Sequence, residues 1–139
     1  MAWGRYSPNT PIAFLSARST TTRAGAANSS IVYIEATITL TAGTWLVTAG
    51  GALLNLATSD DAVAGVYNRT TSTEVANSRG ANQVTNTTSD NAVISIPVSI
   101  TVTSNITVCP IFDRNGSSTI RAQSYASGAA GYITAIRLG

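Results

Sequence analysis

From Ile94 to Val102 the apolar residues fall on every second position: Ile94, Ile96, Val98, Ile100 and Val102, with Ser95, Pro97, Ser99 and Thr101 between them. A period of two sustained over such a run predicts a strand with one dry face and one wet face. Thr103-Ser104-Asn105 reads as a short turn, and Ile106, Val108, Pro110 and Phe112 then resume the alternation, so the stretch predicts a hairpin. It cannot stand alone. Burying each Ile or Val contributes roughly 1.5–3 kcal/mol, while ordering each backbone residue costs roughly 1–2 kcal/mol. With about twice as many residues to order as side chains to bury, the terms nearly cancel. A second sheet must therefore cover the dry face.

The rest of the chain supplies strands for that sheet. Ile12–Arg18 predicts a first strand, and Ile31–Leu40 alternates with Val32, Ile34, Ala36, Ile38 and Leu40 on one side. After a turn at Thr41-Ala42-Gly43, the run Thr44–Ala57 places Trp45, Val47 and Ala49 on one face, and Gly50-Gly51 suggests a bulge or bend. Ala62–Tyr67 and Thr73–Ala76 flank Asn68–Ser72 as a second hairpin, whereas Asn77–Asp90 reads as a polar loop without pattern. Asp113-Arg114-Asn115-Gly116 is a turn, Thr119–Gln123 a short strand, and Tyr132–Leu138 a closing strand. Pro97 places its strand at an edge or a bulge. Eight to ten short strands separated by turns, with no helical period, predict an all-β fold of two packed antiparallel sheets.

Composition agrees with that reading. The 139 residues fit one domain, 44% of them hydrophobic and only 10% charged. The expected division is an N-terminal arm over residues 1–11 and a single sandwich over residues 12–139. All eight basic residues are Arg, scattered along the chain, and the net charge is +2. No cationic cluster marks a nucleic-acid footprint, so no nucleic-acid partner is expected. Cys109 is the sole cysteine, excluding an internal disulfide, and reads as a small buried or interfacial filler. The most apolar run, Thr44–Ala57, is shorter than the roughly 18 residues of a membrane span, and no secretory signal is visible, so no membrane partner is expected.

Catalysis lacks its usual groups. Without His or Lys, the common proton carriers and their activated nucleophiles are missing. No enzyme activity, cofactor or metal is expected. Asp60-Asp61, with Asp90 or Asp113, supplies the carboxylates a calcium site would use, but the spacing gives no support for one.

Several phrases, PIAFLSAR, TAGTWLVTAGGALL, AGVYNRTTSTEVANSR and the terminal GYITAIRLG, occur in an order that resembles phage virion domains with the jelly roll of the tumour necrosis factor and complement globular-head superfamily. In that comparison Trp45 stands at the family's aromatic strand position. The YITAIRL ending is similar to the final strand, which in the family runs through the centre of a trimer. The resemblance implies a homotrimeric jelly-roll β-sandwich with apolar and aromatic residues about the threefold, used in phages as capsid decoration (cement) proteins or as fibre tips. The chain departs from the cytokine members in having no cysteine pair.

Two functions are therefore expected. The first is a virion protein of the capsid surface, a cement protein that binds the major capsid protein as a trimer and stabilises the lattice. It has no stalk ahead of the sandwich, Trp3, Arg5 and Tyr6 of the arm make the capsid contact, and Trp45, Tyr132 and Ile136 lie in the core or the trimer seam. The alternative is a receptor- or glycan-binding tip of a head or tail fibre, with Arg79, Asn82, Gln83 and Asn86 as the ligand loop.

Overall fold

Residues 34–40 keep the alternation of the sequence: Ile34, Ala36, Ile38 and Leu40 are buried, while Glu35, Thr37 and Thr39 face solvent. The same rule builds the rest of the computed structural model, which describes residues 13–19, 23–24, 32–54, 61–83, 91–115, 121–122 and 131–139. The strands are β1 (Phe14–Ser19), β2 (Arg23–Ala24), β3 (Val32–Tyr33), β4 (Ile38–Leu40), β5 (Gly43–Leu54), β6 (Asp61–Asn68), β7 (Thr73–Glu74), β8 (Gly80–Gln83), β9 (Asn91–Ile94), β10 (Val98–Val102), β11 (Ile106–Asn115), β12 (Arg121–Ala122) and β13 (Gly131–Arg137).

They form two antiparallel sheets. In the first, β13 lies between β1 and β5, and β9 and β10 line the other side of β5, with the β2–β12 pair beyond Leu53. In the second, β11 lies between β3–β4 and β6, and β6 carries β7 and β8 on its far side. Treating β3–β4, β7–β8 and β9–β10 as single interrupted strands, the chain crosses between sheets at six of the nine connections among the described strands. That order is a jelly roll. Between the sheets lie Trp45, Val47, Ala49, Leu53, Ala62, Ala64, Val66, Val93, Val108, Phe112, Ile133 and Ala135.

Several sequence expectations are corrected. Asp113, Arg114 and Asn115 do not turn but continue β11, paired with Val63, Ala62 and Asp61, and the strand expected up to Leu40 is interrupted at residues 34–37. The stretch around Thr103-Ser104-Asn105 is not a hairpin: β10 pairs with β5 and β11 with β6, so the turn arches from one sheet to the other. Nor do Ile94 and Ile96 share the dry face of Val98, Ile100 and Val102; they are 52% and 53% exposed. The reason is a bulge. Val47 faces Val98 and Gly50 faces Ile94, so three steps along β5 match four along its partner, and the extra residue in Ser95-Ile96-Pro97 flips the phase. Pro97 thus sits at a bulge of an edge strand, where no ladder donor is required.

Gly50-Gly51 is not a bulge against β13, since the β5–β13 register runs unbroken through it. Gly50 instead makes room: a methyl group there would lie 2.5 Å from the Tyr132 hydroxyl and 2.7 Å from its ring. Finally, the supposed patternless loop contains β8, paired with β6. β7 and β8 are separated by a detour at residues 75–79, where Asn77 takes a positive φ of 60°.

Two buried serines close these detours. Ser95 donates its N–H to the Ala49 carbonyl (2.7 Å), and its Oγ accepts from Ala49 N (2.8 Å). Ser78 Oγ accepts from Val66 N (3.0 Å) and donates to the Val75 carbonyl (2.8 Å). The two bulges meet across the sandwich, because Ile96 N donates to the Ser78 carbonyl at 2.9 Å.

Candidate functional site

Among the described residues, the large apolar side chains that are exposed gather on the outer face and edge of the first sheet. Phe14 and Ile136 are register partners, 59% and 39% exposed, and Ile136 faces half-buried Leu46 on β5. Leu138 continues this outward parity and is 59% exposed; its N–H donates to the Thr44 carbonyl at 2.7 Å. Phe14, Ile136, Leu46 and Leu138 therefore form one cluster across three neighbouring strands. Isolated exposed apolar residues are ordinary, whereas a contiguous group marks an interaction surface. At the opposite edge of the same sheet, Ile94 and Ile96 form a second group. Between the two lie Ser16, Thr134 and Thr48, an uncharged row.

Trp45 belongs to the core, 2% exposed, with its Nε1 donating to the Thr41 carbonyl at 2.8 Å and the Arg137 guanidinium 5.9 Å from its ring centre. Tyr132 is half-buried over Gly50, and Ile136 sits on the exposed face. These three residues lie on adjacent strands, but Trp45 points inward and Ile136 outward. The sequence singled out Ile136 yet missed Phe14; reading Ile12–Arg18 as an alternating strand against the last strand would have found it.

Arg79 is not held out for a ligand. Its Nε and Nη2 donate to Glu74 (2.7 and 2.9 Å), and Nη1 donates to Asp113 (2.5 Å), whose side chain is only 9% exposed. The hydrogen bonds to Glu74 above all raise the Arg79 pKa, against a smaller desolvation penalty. Asn82 Nδ2 donates to the Ala92 carbonyl at 2.9 Å, tying β8 to β9, and Gln83 is exposed at the end of β8. Asn86, like Trp3, Arg5, Tyr6, Asp60 and Asp90, lies outside the described residues. Asp61 begins β6 and is half-buried.

Among the described residues, no group of three His, Cys, Asp or Glu side chains could hold a metal ion, and no helix is long and apolar enough to cross a membrane. Cys109 is buried on the far side of the second sheet, and burial pushes its thiol up to about 11.

No family model matches the chain, and no curated protein matches it. Among solved structures it is similar to the infectious bursal disease virus VP2 subviral particle, with TM-score 0.47 and 11% identity, covering 99% of this chain and 37% of that one. It is also similar to the structure of infectious bursal disease virus Gx strain, with TM-score 0.46 and 7% identity, covering 99% of this chain and 42% of that one. The chain thus spans less than half the length of either.

Proposed function

We propose that this chain is a structural virion protein, a phage capsid decoration protein that assembles as a trimer on the capsid surface and stabilises the lattice. The observation that carries this reading is the exposed apolar cluster of Phe14, Ile136, Leu46 and Leu138, with the separate Ile94–Ile96 group at the far edge of the same sheet. Two different patches on one chain suit a heterologous contact, which closes into a ring rather than a two-fold pair. A sparsely charged, Thr- and Ser-rich domain suits permanent assembly. The arm residues Trp3, Arg5 and Tyr6 are the types that anchor interfaces, and we assign them to the major capsid protein. Binding across a subunit junction stabilises whichever lattice state is bound, by mass action.

Light scattering on the eluting protein tests the assembly: three chains are expected at micromolar concentration, and a stable monomer overturns the reading. Deleting residues 1–10 is expected to leave a trimer that no longer decorates capsids. Copy number in purified particles separates cement from a fibre tip. Hundreds of copies fit the first; a dozen or so at a tail or vertex fit the second.

A further inference from the structure

At one end of the second sheet, three elements converge on an exposed ion pair. Arg69 Nη1 donates to Glu35 Oε2 at 2.7 Å, with both side chains nearly half exposed. Glu35 and Thr37 come from the detour between β3 and β4, and this detour has a cause in the sequence. Pro110 on β11 has no N–H to donate, and the pairing that ends at Ile111 resumes at Val108 only after extra residues on the partner: β3–β4 spend five steps, from 33 to 38, where β11 spends three, from 108 to 111. Arg69, Thr70 and Ser72 come from the β6–β7 loop, and Thr107 from β11. Two adjoining hollows, of about 330 and 380 Å³, share Arg69; the first is lined by Thr37, Thr70 and Thr107, the second by Glu35, Tyr67 and Ser72.

The loop that presents Arg69 is held in place before any ligand arrives. Asn68 Oδ1 accepts from Thr70 N (3.0 Å) and Thr71 N (3.2 Å), forming an Asx turn. Arg69 N donates to the Thr107 carbonyl (2.8 Å), and Thr107 N donates to Thr70 Oγ1 (2.9 Å). Ser72, at a φ of 55°, completes the reversal.

We infer that this groove is a saccharide-binding site. Its chemistry selects a neutral polyhydroxyl ligand. The Arg69 charge is already balanced by Glu35, which weakens its pull on a phosphate or a nucleic-acid backbone. A vicinal diol, in contrast, can accept from the guanidinium and donate to the carboxylate at once, using the pair as it stands. The hydroxyls of Thr37, Thr70, Thr107 and Ser72 either donate or accept, as sugar hydroxyls do. Tyr67 adds an aromatic body with a polar tip at one wall. The hollows are shallow and open to solvent, with room for a sugar ring laid on the surface, and the fixed loop lowers the ordering cost of binding. The site lies on the second sheet, away from the apolar face of the first, so it holds for a capsid protein and a fibre tip alike.

The test is amide chemical-shift mapping on the full chain with glucose, galactose, mannose, N-acetylglucosamine, lactose and maltose, and with inorganic phosphate. At least one sugar is expected to shift the amides of Glu35, Thr37, Arg69, Thr70 and Thr107 with millimolar affinity. Glu35→Gln and Arg69→Ala should each weaken it about tenfold, the loss expected for a hydrogen bond to a charged group. Ser99→Ala, on the other sheet, should leave it unchanged. Because an exposed pair contributes little to stability, both variants are expected to fold, as their spectra will report directly. The inference is overturned if no sugar shifts those amides, if the shifts survive both substitutions, or if only phosphate produces them.

Discussion

Ser78 and Ser95 show how much a single hydroxyl can decide. Each is buried, and each accepts a hydrogen bond from a backbone N–H that the strand ladder has left behind at a bulge. Removing the acceptor strands a buried donor, which costs about 1–3 kcal/mol. Ser78→Ala and Ser95→Ala should therefore lower the urea midpoint clearly, while exposed Ser99→Ala should stay within about 0.5 kcal/mol of the parent. Glycines divide in the same way. A methyl at Gly50 meets the Tyr132 side chain, but one at Gly80 runs into the backbone carbonyl of Ile94. Gly80→Ala should be the more damaging, and Tyr132→Ala should relieve only Gly50→Ala. Cys109 adds a pH signature. Its thiol, 9.0 in the unfolded reference, is raised to about 11 by burial. The folded state holds the proton more tightly, so the associated stability is complete below pH 9 and is lost as pH rises through about 11. The difference between parent and Cys109→Ala stability, followed by urea titration from about pH 8 to about pH 11, should shrink by on the order of 2 kcal/mol.

At the scale of elements, alternation in sequence carried over into strands almost everywhere, because a half-buried strand needs little beyond its own period. Residues 38–40, the first half of β5 and β13 follow it, and the β6–β7 hairpin lies where its polar turn suggested, whereas residues 34–37 keep the alternation outside any strand. What did not carry over is pairing. An arch between sheets and a hairpin within one use the same short polar turn, and Thr103-Ser104-Asn105 was therefore indistinguishable from a hairpin turn. The phase change at Ser95-Ile96-Pro97 was hidden because Ile94 and Ile96 extend the apolar period through a bulge; Pro97 was the only local warning. β8 escaped notice because Gly80, Ala81, Asn82 and Gln83 carry no apolar alternation, and the strand exists through its pairing with β6. The candidate sites were less legible still. Arg79 looked available in sequence, yet it straps β7–β8 to β11 through Glu74 and Asp113. Arg79→Ala leaves the buried Asp113 carboxylate without this partner and should cost about 1–3 kcal/mol in chemical denaturation. Arg69→Ala, removing an exposed pair, should cost no more than about 1 kcal/mol.

At the scale of the molecule, the two apolar groups on the first sheet make separate predictions about symmetry. If the face group of Phe14 and Ile136 packs against the edge group of Ile94 and Ile96 from another copy, every chain uses both patches once. Ile136→Glu then disables the face alone, and Ile96→Glu disables the edge alone. Both positions are already exposed, so neither charge need disturb the core, and each variant by itself should sediment as a folded monomer. Mixed, they retain one working combination: the edge of the Ile136→Glu chain against the face of the Ile96→Glu chain. The mixture should therefore form one-to-one pairs that grow no further, because the remaining patches on each pair both carry a glutamate. A two-fold contact behaves differently. There each chain offers the same patch to its partner, a variant damaged in that patch has no intact counterpart to meet, and one of the two variants would assemble as the parent does. Sedimentation velocity of the variants alone and together distinguishes these outcomes, and the absence of pairs in the mixture would remove the face-to-edge contact from the assembly.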